Sequence, residues 1–262
     1  MNTLSVLDYN IWFDTYNMAE RTMSLIDVIE DKKPDVILLQ EVRPKIAEIL
    51  DMALSKLGYV SHFPDAINES YNCMIFSKYK MRNIAWHPYT NSNMGRGLVT
   101  ALINFPIISK INNDINISSI DILLATTHFE SIFDKKHSDV KIDQYQYVKN
   151  ELDAESIKYI IFGSDTNIAN ENEDKLFFKD KYWNDAYDDC AYDNKDDNNY
   201  TYDTETNKNL IMRKIKNLRS RIDRILYKGD MNIQHFELIK EGNFIIPPSD
   251  HHGIFVKFEI IV

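Results

Sequence analysis

The chain contains few of the residues that cross-link or interrupt a fold. It has two cysteines, seven glycines and seven prolines among 262 residues. Two cysteines imply no disulfide framework, so we interpret Cys73 and Cys190 as reduced thiols, which are typical of the cytosol and the nucleus. The remaining composition, with 12% aromatic and 27% charged residues, is that of a soluble globular protein and excludes a wholly disordered chain.

Long apolar segments are also missing. The N-terminal MNTLSVLDYNIWF has no basic leader and no small-residue cleavage site, so it does not predict a signal peptide. No apolar run reaches the roughly 18 residues that a membrane-spanning helix needs. The C-terminal FIIPPSDHHGIFVKFEIIV is interrupted by proline, aspartate and histidine, so it predicts no anchor. We therefore expect an intracellular protein, nuclear or cytoplasmic, that has no membrane partner.

The chain also has fewer basic than acidic residues. The chain has 30 lysines and arginines against 40 aspartates and glutamates, which gives a formal net charge of −10. This balance disfavours a general nucleic-acid coat protein, which needs a broad basic surface. A carboxylate cluster around a metal ion would make a chain acidic, and the ion would supply local positive charge. Any contact with nucleic acid should therefore be confined to a narrow groove.

The hydrophobic residues make up 44% of the chain, which is enough for one large core, and we expect a single domain over residues 1–262. Their spacing predicts helices at 18–32, at 44–58 and at about 139–154. Residues 170–200 are rich in Asp, Asn and Tyr and predict an irregular surface segment. Apolar runs predict strands at residues 3–9 and at DVILLQ, YNCMIFS, GLVTALINF, IDILLATTHF, IKYIIFG, RIDRILY and GIFVKFEII.

Polar residues fall at or beside the ends of these apolar runs, where a rigid strand gives way to an open loop. Catalytic groups are often placed at such positions. Each residue alone has an ordinary explanation, such as a solvated loop glutamate, an Asx turn or a polar turn before the last strand. The residues are Asn10, Glu41, His128, Asp165 and the pair Asp250 and His251.

Two of the acidic residues suit metal and water chemistry. Glu41 follows the buried run DVILLQ, and a carboxylate there is a natural ligand for a hard cation such as Mg²⁺. Asp165 follows IKYIIFGS and would hold or deprotonate an attacking water molecule. Asn167 lies across a predicted turn from Asp165 and would orient the phosphate.

Two histidines suit the stabilisation of a phosphoryl transition state. His251 would stabilise a pentavalent phosphorane as an imidazolium, and Asp250 would orient its ring or add to the metal site. His128, in the string TTHFES, would donate to phosphate. Glu130 in the same string would fix the His128 ring or a neighbour.

Taken in order, these motifs carry more information than any one of them. The order is strand-Asn, strand-Gln-Glu, Thr-His-Phe-Glu-Ser, Asp-x-Asn and Ser-Asp-His-His-Gly, and it runs from Asn10 to Gly253. It resembles the signature of the endonuclease/exonuclease/phosphatase superfamily. The resemblance implies a four-layer α/β/β/α sandwich of two mixed β-sheets flanked by helices. It also implies a Mg²⁺ cofactor, with Mn²⁺ as a possible substitute, held by Glu41 with Asn10 and Asp250.

Several strings are similar to the tyrosyl-DNA phosphodiesterase 2 branch of that superfamily, namely PDVILLQEV, TTHFES, YTYDTETNKNL, RIDRILY and PSDHHG. By that resemblance Tyr71, Arg96 and Tyr202 would contact the substrate, and Glu130 and Arg221 join them as predicted substrate-binding residues. The sequence departs from the branch at Tyr202 and at His252, where a tryptophan is usual, and at Lys141, where an arginine is expected. No catalytic group is lost.

A basic stretch, KNLIMRKIKNLRSRIDR, lies beside these motifs. It predicts either an edge that follows phosphates in a nucleic-acid groove or a solvated charged face. For Asp223, within the stretch, we favour a role in ordering the neighbouring backbone or an arginine over metal binding.

The resemblance thus implies a monomeric Mg²⁺-dependent phosphodiesterase. Its substrate would be the 5′-phosphotyrosyl bond between a protein and a single-stranded 5′ end of DNA or RNA. Two alternatives within the superfamily stay open: a general or abasic-site nuclease, and a phosphatase acting on a small molecule. A non-catalytic binding module is disfavoured because Glu41, Asp165 and His251 are all present.

Overall fold

The computed structural model describes residues 2–64, 70–111, 114–131, 135–169, 182–190, 199–240 and 245–261. Most of the predicted irregular segment 170–200 lies outside these residues. The described helices are α1 (Met18–Lys32), α2 (Pro44–Leu54), α3 (Lys135–Ala154) and α4 (Lys208–Met212). The described strands are β1 (Thr3–Asn10), β2 (Val36–Val42), β3 (Val60–His62), β4 (Asn72–Ser77), β5 (Met81–Pro88), β6 (Gly97–Ile111), β7 (Asp114–His128), β8 (Tyr159–Asp165), β9 (Asn184–Asp185), β10 (Tyr202–Asp203), β11 (Arg219–Ser220), β12 (Asp223–Lys228), β13 (Met231–Ile239) and β14 (Gly253–Ile260).

Twelve of these strands form two six-stranded sheets. The first has the order β13-β14-β1-β2-β4-β3, and the second has the order β5-β6-β7-β8-β12-β9. Both are mixed, because β1 and β2 are parallel in one, β7 and β8 are parallel in the other, and the remaining pairs are antiparallel. The short strands β10 and β11 pair with each other near one end of the molecule.

The central strands are buried on both faces, which explains why they appear as continuous apolar runs. In β2, Val36 and Leu38 face the core between the sheets, while Ile37 and Leu39 face the helices. The same alternation in β8 places Ile161 in the core between the sheets. Because successive side chains point to opposite faces, one strand serves two layers of packing.

The helices cover the outer faces of the two sheets. In the first sheet, side chains of α1 and α2, such as Leu25 and Leu50, pack on the outer face of β2. In the second sheet, Val148 and Leu152 of α3 pack against Phe162 of β8. The four-layer α/β/β/α sandwich is therefore confirmed. Within the described residues, no helix is both long enough and apolar enough to cross a membrane.

The structure adds strands that the sequence pattern did not predict. β5 and β13 are edge strands whose side chains are mostly exposed or half-buried, so their apolar runs are broken. β6 and β7 also extend beyond their predicted runs and pair along 14 positions as a long hairpin. In its outer half, residues 115–119 of β7 are exposed, whereas Phe105 and Ile107 of β6 still face the core.

One glycine holds the C-terminal motif against the first strand. A Cβ on Gly253 would lie 2.4–3.0 Å from atoms of the Tyr9 ring, and the Tyr9 hydroxyl donates a hydrogen bond to the His251 carbonyl at 3.4 Å. We expect Gly253→Ala to destabilise the protein by about 1–3 kcal/mol, because overpacking displaces a buried ring. Urea denaturation would measure this loss, and an unchanged transition midpoint would contradict the packing described.

Candidate active site

Four strands bring their polar ends to one edge of the sandwich. Asn10 ends β1 and Glu41 lies at the end of β2, while His128 ends β7 and faces Asp165 at the end of β8. Because β1 and β2 are parallel, as are β7 and β8, each pair delivers its carboxyl ends to the same side. These four side chains are between 1% and 9% exposed, so the cluster they form is buried.

Asn10 links the two acidic residues. Its Nδ2 donates to Glu41 Oε1 at 3.2 Å and to Asp165 Oδ2 at 2.8 Å, and its Oδ1 accepts the backbone N–H of Trp12 at 2.9 Å. The amide therefore presents its nitrogen to both carboxylates and orients them. The role of Asn10 as an oxygen ligand of a metal stays a prediction, because its oxygen bonds to Trp12 here.

His128 lies between the same two carboxylates. Its Nε2 is 3.2 Å from Asp165 Oδ2, and its Nδ1 is 3.7 Å from Glu41 Oε1. Ligand atoms of His128, Glu41 and Asp165 all lie within 4.8 Å of one another, which is close enough to share one cation.

Asp165 is the most heavily contacted carboxylate of the cluster. Its Oδ1 accepts the backbone N–H of Asn167 at 2.9 Å, which closes the turn that the sequence predicts. Burial alone would raise the pKa of Asp165, but the charges of His128 and His251 and the amide of Asn10 outweigh it and hold the pKa well below its usual range. Asp165 is therefore an ionised acceptor at neutral pH.

His251 is held by a residue for which the sequence suggested another role. Its Nδ1 lies 2.8 Å from Asp223 Oδ2, and its Nε2 lies 3.9 Å from Asp165 Oδ2. The interpretation that Asp223 orders backbone or an arginine is corrected: its carboxylate pairs with His251. Antiparallel pairing of β12 with β8, with Asp223 opposite Asp165, brings it there.

The partners of His251 also fix its charge. Burial alone would lower the pKa of His251, but Asp223 above all, and then Asp165 and Asp250, raise it well above its ordinary value. The imidazolium then donates Nδ1–H to Asp223 and leaves Nε2–H for a substrate oxygen. The Oδ1 atom of Asp250 is 4.0 Å from His251 Nε2, beyond hydrogen-bond distance. Asp223, which is 2.8 Å from Nδ1, therefore orients the ring, and Asp250 does not.

The charge of Glu41 also acts on Asp250. Burial and then the charge of Glu41 raise the pKa of Asp250 to about 7, although His251 and Arg21 oppose this. Two carboxylates that repel each other in a buried site are what a divalent ion with oxygen ligands would relieve. The donor set at this edge is therefore suited to a divalent metal.

Two site residues have backbones in the left-handed region. Glu41 has φ 60° beside a register shift between β2 and β4, and Asn167 has φ 49°. This region is uncommon for residues other than glycine, although asparagine tolerates it better than glutamate. The bulge re-aims the Glu41 side chain into the cluster, as strained residues at functional sites often do.

Three predicted substrate contacts line the approach to this cluster. The Tyr71 hydroxyl accepts a hydrogen bond from Arg96 Nη2 at 3.2 Å, and its ring stacks on Phe13 with centroids 4.6 Å apart. Tyr202 lies edge-on to the His251 ring, with centroids 5.3 Å apart. The Asn167 side chain, by contrast, donates to the carbonyl of Phe129 at 2.9 Å.

Glu130 lies behind this approach. It is 0% exposed. Its carboxylate accepts hydrogen bonds from Ser92 Oγ, from the Asn93 backbone and from Gln144. Glu130 therefore fixes a neighbour, the turn that carries Arg96, which is one of the two roles its sequence position suggested.

The basic stretch is largely neutralised by carboxylates from elsewhere in the chain. Arg221 Nη1 contacts both oxygens of Asp185, at 2.9 and 3.0 Å, and Arg224 contacts the same residue. Arg213 pairs with Asp14, and Arg219 pairs with Asp203 and Glu205. The role of Arg221 in binding substrate stays a prediction.

Residues 9–251 match the endonuclease/exonuclease/phosphatase family, and the chain belongs to that family. Among curated relatives, tyrosyl-DNA phosphodiesterase 2 of Xenopus laevis is 31% identical over 271 residues, which covers 98% of this chain and 66% of the relative. The 5′-tyrosyl-DNA phosphodiesterase of Caenorhabditis briggsae is 26% identical over 272 residues, which covers 98% and 70%. The chain thus spans about two thirds of the length of these relatives.

Solved structures share the fold over the whole chain. D. rerio TDP2 in complex with a single-stranded DNA product has a TM-score of 0.81 at 22% identity, covering 99% of this chain and 100% of that one. The human Nocturnin catalytic domain has a TM-score of 0.71 at 19% identity, covering 99% and 94%. At these identities the likeness concerns the sandwich itself.

Proposed function

We propose that this chain is a Mg²⁺-dependent phosphodiesterase that hydrolyses the 5′-phosphotyrosyl bond between a protein and a single-stranded 5′ end of DNA or RNA. It would act as a monomer in the nucleus or cytoplasm and leave a free tyrosine and a 5′-phosphate. The observation that carries the proposal is the ionised Asp165 carboxylate, which lies between His128 and a His251 paired with Asp223. The names of the curated relatives support the choice of bond.

Each residue of the cluster has a chemical role in this reaction. Asp165 accepts a hydrogen bond from the attacking water and takes its proton as the phosphorus–oxygen bond forms. The imidazolium of His251 donates Nε2–H to a phosphoryl oxygen as negative charge develops there. Asp223 keeps the His251 ring protonated and correctly turned, and Asn10 keeps Asp165 and Glu41 in place.

Glu41 and Asp250, with Asn10 as a predicted third ligand, would hold Mg²⁺ or its substitute Mn²⁺, which would neutralise phosphate charge and polarise a phosphoryl oxygen. The two carboxylates support this assignment because burial, and after it the charge of Glu41, raises the pKa of Asp250, and a bound cation would oppose both effects. Oxygen ligands and a small number of carboxylates are the preference of magnesium.

The tyrosine phenol is a leaving group that suits this arrangement of residues. A tyrosine phenol has a pKa near ~10, lower than that of a sugar hydroxyl, so it departs with less protonation. Catalysis then rests on positioning water and stabilising charge. A 5′-phosphotyrosyl oligonucleotide and an abasic-site duplex, supplied side by side with Mg²⁺, would test this. Faster cleavage of the duplex would move the protein to the nuclease alternative.

The approach residues give a prediction about selectivity. Tyr71→Ala and Arg96→Ala should each weaken turnover of a phosphotyrosyl oligonucleotide far more than turnover of a small chromogenic tyrosyl phosphodiester. Stacking of a base on an aromatic ring is worth ~1–3 kcal/mol, and an arginine adds charge-assisted bonds to phosphate. The measurement is kcat/KM on both substrates, with Tyr147→Ala on the outer helix as a control.

Equal losses on the two substrates would show that Tyr71 and Arg96 serve the fold or the chemistry instead of recognising the strand. The control residue Tyr147 is 37% exposed, and its ring packs on Tyr89. Its replacement should leave both substrates within about twofold of the parent enzyme, as is usual for surface substitutions.

A further inference from the structure

The string YTYDTETNKNL contains two asparagines that the proposed mechanism does not use. Asn207 directly precedes α4, and Asn209 lies in the first turn of that helix. Asn207 is 1% exposed and Asn209 is 0% exposed, so both amides are buried. A buried amide needs hydrogen-bond partners, and the identity of those partners shows which segment it holds in place.

Asn207 uses the two ends of its amide for different purposes. Its Oδ1 accepts the backbone N–H groups of Asn209 at 3.0 Å and of Leu210 at 3.4 Å, which caps the N-terminus of α4. Its Nδ2 donates to the carbonyls of Ser249 at 3.1 Å and of His251 at 3.4 Å. Because the cap fixes the orientation of the amide, the NH₂ group has to face these two carbonyls.

Asn209 holds the same segment of the chain. Its Nδ2 donates to the Pro247 carbonyl at 3.0 Å and to the Ser249 carbonyl at 2.8 Å. Residues 247–252 form the turn before β14 and belong to no helix or strand, so their carbonyls need partners from outside the sheets. Asn207 and Asn209, which we call the amide clamp, supply four such hydrogen bonds.

Ser249 connects the amide clamp to the reacting groups. Its carbonyl accepts one hydrogen bond from each asparagine of the clamp. Its hydroxyl accepts the His251 backbone N–H at 3.1 Å and donates to Asp250 Oδ1 at 3.2 Å. The Tyr9 hydroxyl also donates to the His251 carbonyl, whereas the Pro247 and Ser249 carbonyls are held by the clamp. A movement of Ser249 would therefore displace both Asp250 and His251.

We propose that Asn207 and Asn209 are positioning residues, which hold the turn so that Asp250 and His251 keep the geometry of the reaction. This inference rests on the proposed function. The catalytic geometry depends on the turn because His251, from a segment outside both sheets, meets Asp223 of β12 at 2.8 Å. A displacement of about 1 Å at a reacting group can cost about 100-fold in rate, so the clamp should act on the chemical step.

An alternative role for α4 is direct contact with the bound strand. The helix exposes two apolar side chains, since Ile211 is 48% and Met212 is 50% exposed. The two roles give different expectations for variants of the clamp. A positioning role lowers kcat for every tyrosyl substrate, because the turn serves the reaction itself. A strand-binding role raises KM for an oligonucleotide and leaves a small substrate unaffected.

The sharpest test keeps the helix cap and removes the clamp. Serine caps a helix about as well as asparagine, but it has no amide NH₂ group to donate to the two carbonyls. Asn207→Ser should lower kcat about 10- to 100-fold on a 5′-phosphotyrosyl oligonucleotide and on a small chromogenic tyrosyl phosphodiester alike, with KM within about threefold. Asn209→Ala, which removes the other two donors, should behave in the same way. A rise of KM confined to the oligonucleotide, with kcat unchanged, would overturn the proposal.

The matched control destabilises the protein without touching the turn. Val148 of α3 is 1% exposed and packs in the core beneath the second sheet, so Val148→Ala leaves a cavity there. This variant should lower the urea midpoint at least as far as Asn207→Ser does and keep kcat within about twofold of the parent enzyme. If Val148→Ala lost as much kcat as the clamp variants, a general loss of stability would explain their effect and the clamp would fall.

A spectroscopic measurement separates this inference from the proposed activity. In protein that carries isotope-labelled histidine, the NMR signals of the His251 ring, assigned with His251→Gln, report its contact with Asp223 without any turnover. Asn207→Ser should shift these signals and leave those of His87, on the edge strand β5, unchanged. If the parent enzyme fails to cleave the tyrosyl bond, the proposed function falls, while a shifted His251 signal still supports the clamp. Unchanged His251 signals in Asn207→Ser would overturn the clamp whatever the activity of the enzyme.

Discussion

Asp165→Asn should lower kcat for a 5′-phosphotyrosyl oligonucleotide by about 100- to 10,000-fold and leave KM within about threefold. General-base catalysis contributes a factor of this size, and an amide does not accept the proton of the attacking water. Substrate binding survives because Tyr71, Arg96 and Tyr202 are untouched. Single-turnover kinetics at saturating substrate would separate the chemical step from product release.

The contacts of Asp165 sharpen the expected result. Its Oδ2 receives Asn10 Nδ2 at 2.8 Å and lies 3.2 Å from His128 Nε2, while its Oδ1 accepts the Asn167 N–H at 2.9 Å, so an asparagine keeps an oxygen for only one side of these contacts. The change therefore removes charge with little change of shape. Asp230→Asn removes a charge at an exposed turn, where Asp230 pairs with Lys158, and serves as the control. An effect of Asp165→Asn confined to KM would contradict the role assigned to it.

The strand ends explain how much of the site the sequence could predict. Asn10, Glu41, His128 and Asp165 each lie at or beside the end of a largely apolar run, and such a run marks a strand buried on both faces. A polar residue directly after it has to lie at the edge of the sandwich. What the runs do not contain is strand order, so the distances among these residues required the two sheets and their parallel pairs.

The role of Asp223 could not be predicted from the ends of apolar runs. It stands at the beginning of β12, between Ile222 and Arg224, so local sequence associates it with the basic stretch. Its true partner, His251, is 28 residues away and is reached because β12 runs antiparallel to β8. A His–Asp pair of this kind leaves no local signature, because Asp223 begins β12 whereas His251 lies in the turn before β14.

The basic stretch KNLIMRKIKNLRSRIDR allowed two interpretations because the partners of its arginines are also distant in the sequence. Its arginines suggested either a phosphate-binding edge or a solvated face, yet most of them pair with acids from distant segments, such as Asp14 and Asp185. Local charge density therefore overstated the positive potential available to a nucleic acid. Arg96 is the opposite case, since it is a single cation in the sequence but is buried beside the site without a carboxylate among its described contacts.

Glu41→Gln should reduce activity by at least about 100-fold while the fold survives. The Glu41 carboxylate accepts Asn10 Nδ2 and the Phe13 backbone N–H, and a glutamine of the same shape keeps an oxygen for only one of them. What is lost is the charge that makes this edge attractive to a hard cation. Burial, and after it the charge of Glu41, raises the pKa of Asp250 to about 7 in the parent enzyme, so the variant should remove the Glu41 contribution to that rise.

Metal binding gives this prediction a second readout. A ligand that binds the folded state raises stability with its concentration, so Mg²⁺ should raise Tm of the parent enzyme and have a much smaller effect on Glu41→Gln. Glu48→Gln, on the exposed face of α2, should respond to Mg²⁺ as the parent does. If Glu41→Gln turned over substrate at nearly the parent rate and kept the Mg²⁺-dependent rise in Tm, Glu41 would not be the metal ligand, and the cation would have to be held by other carboxylates of the cluster.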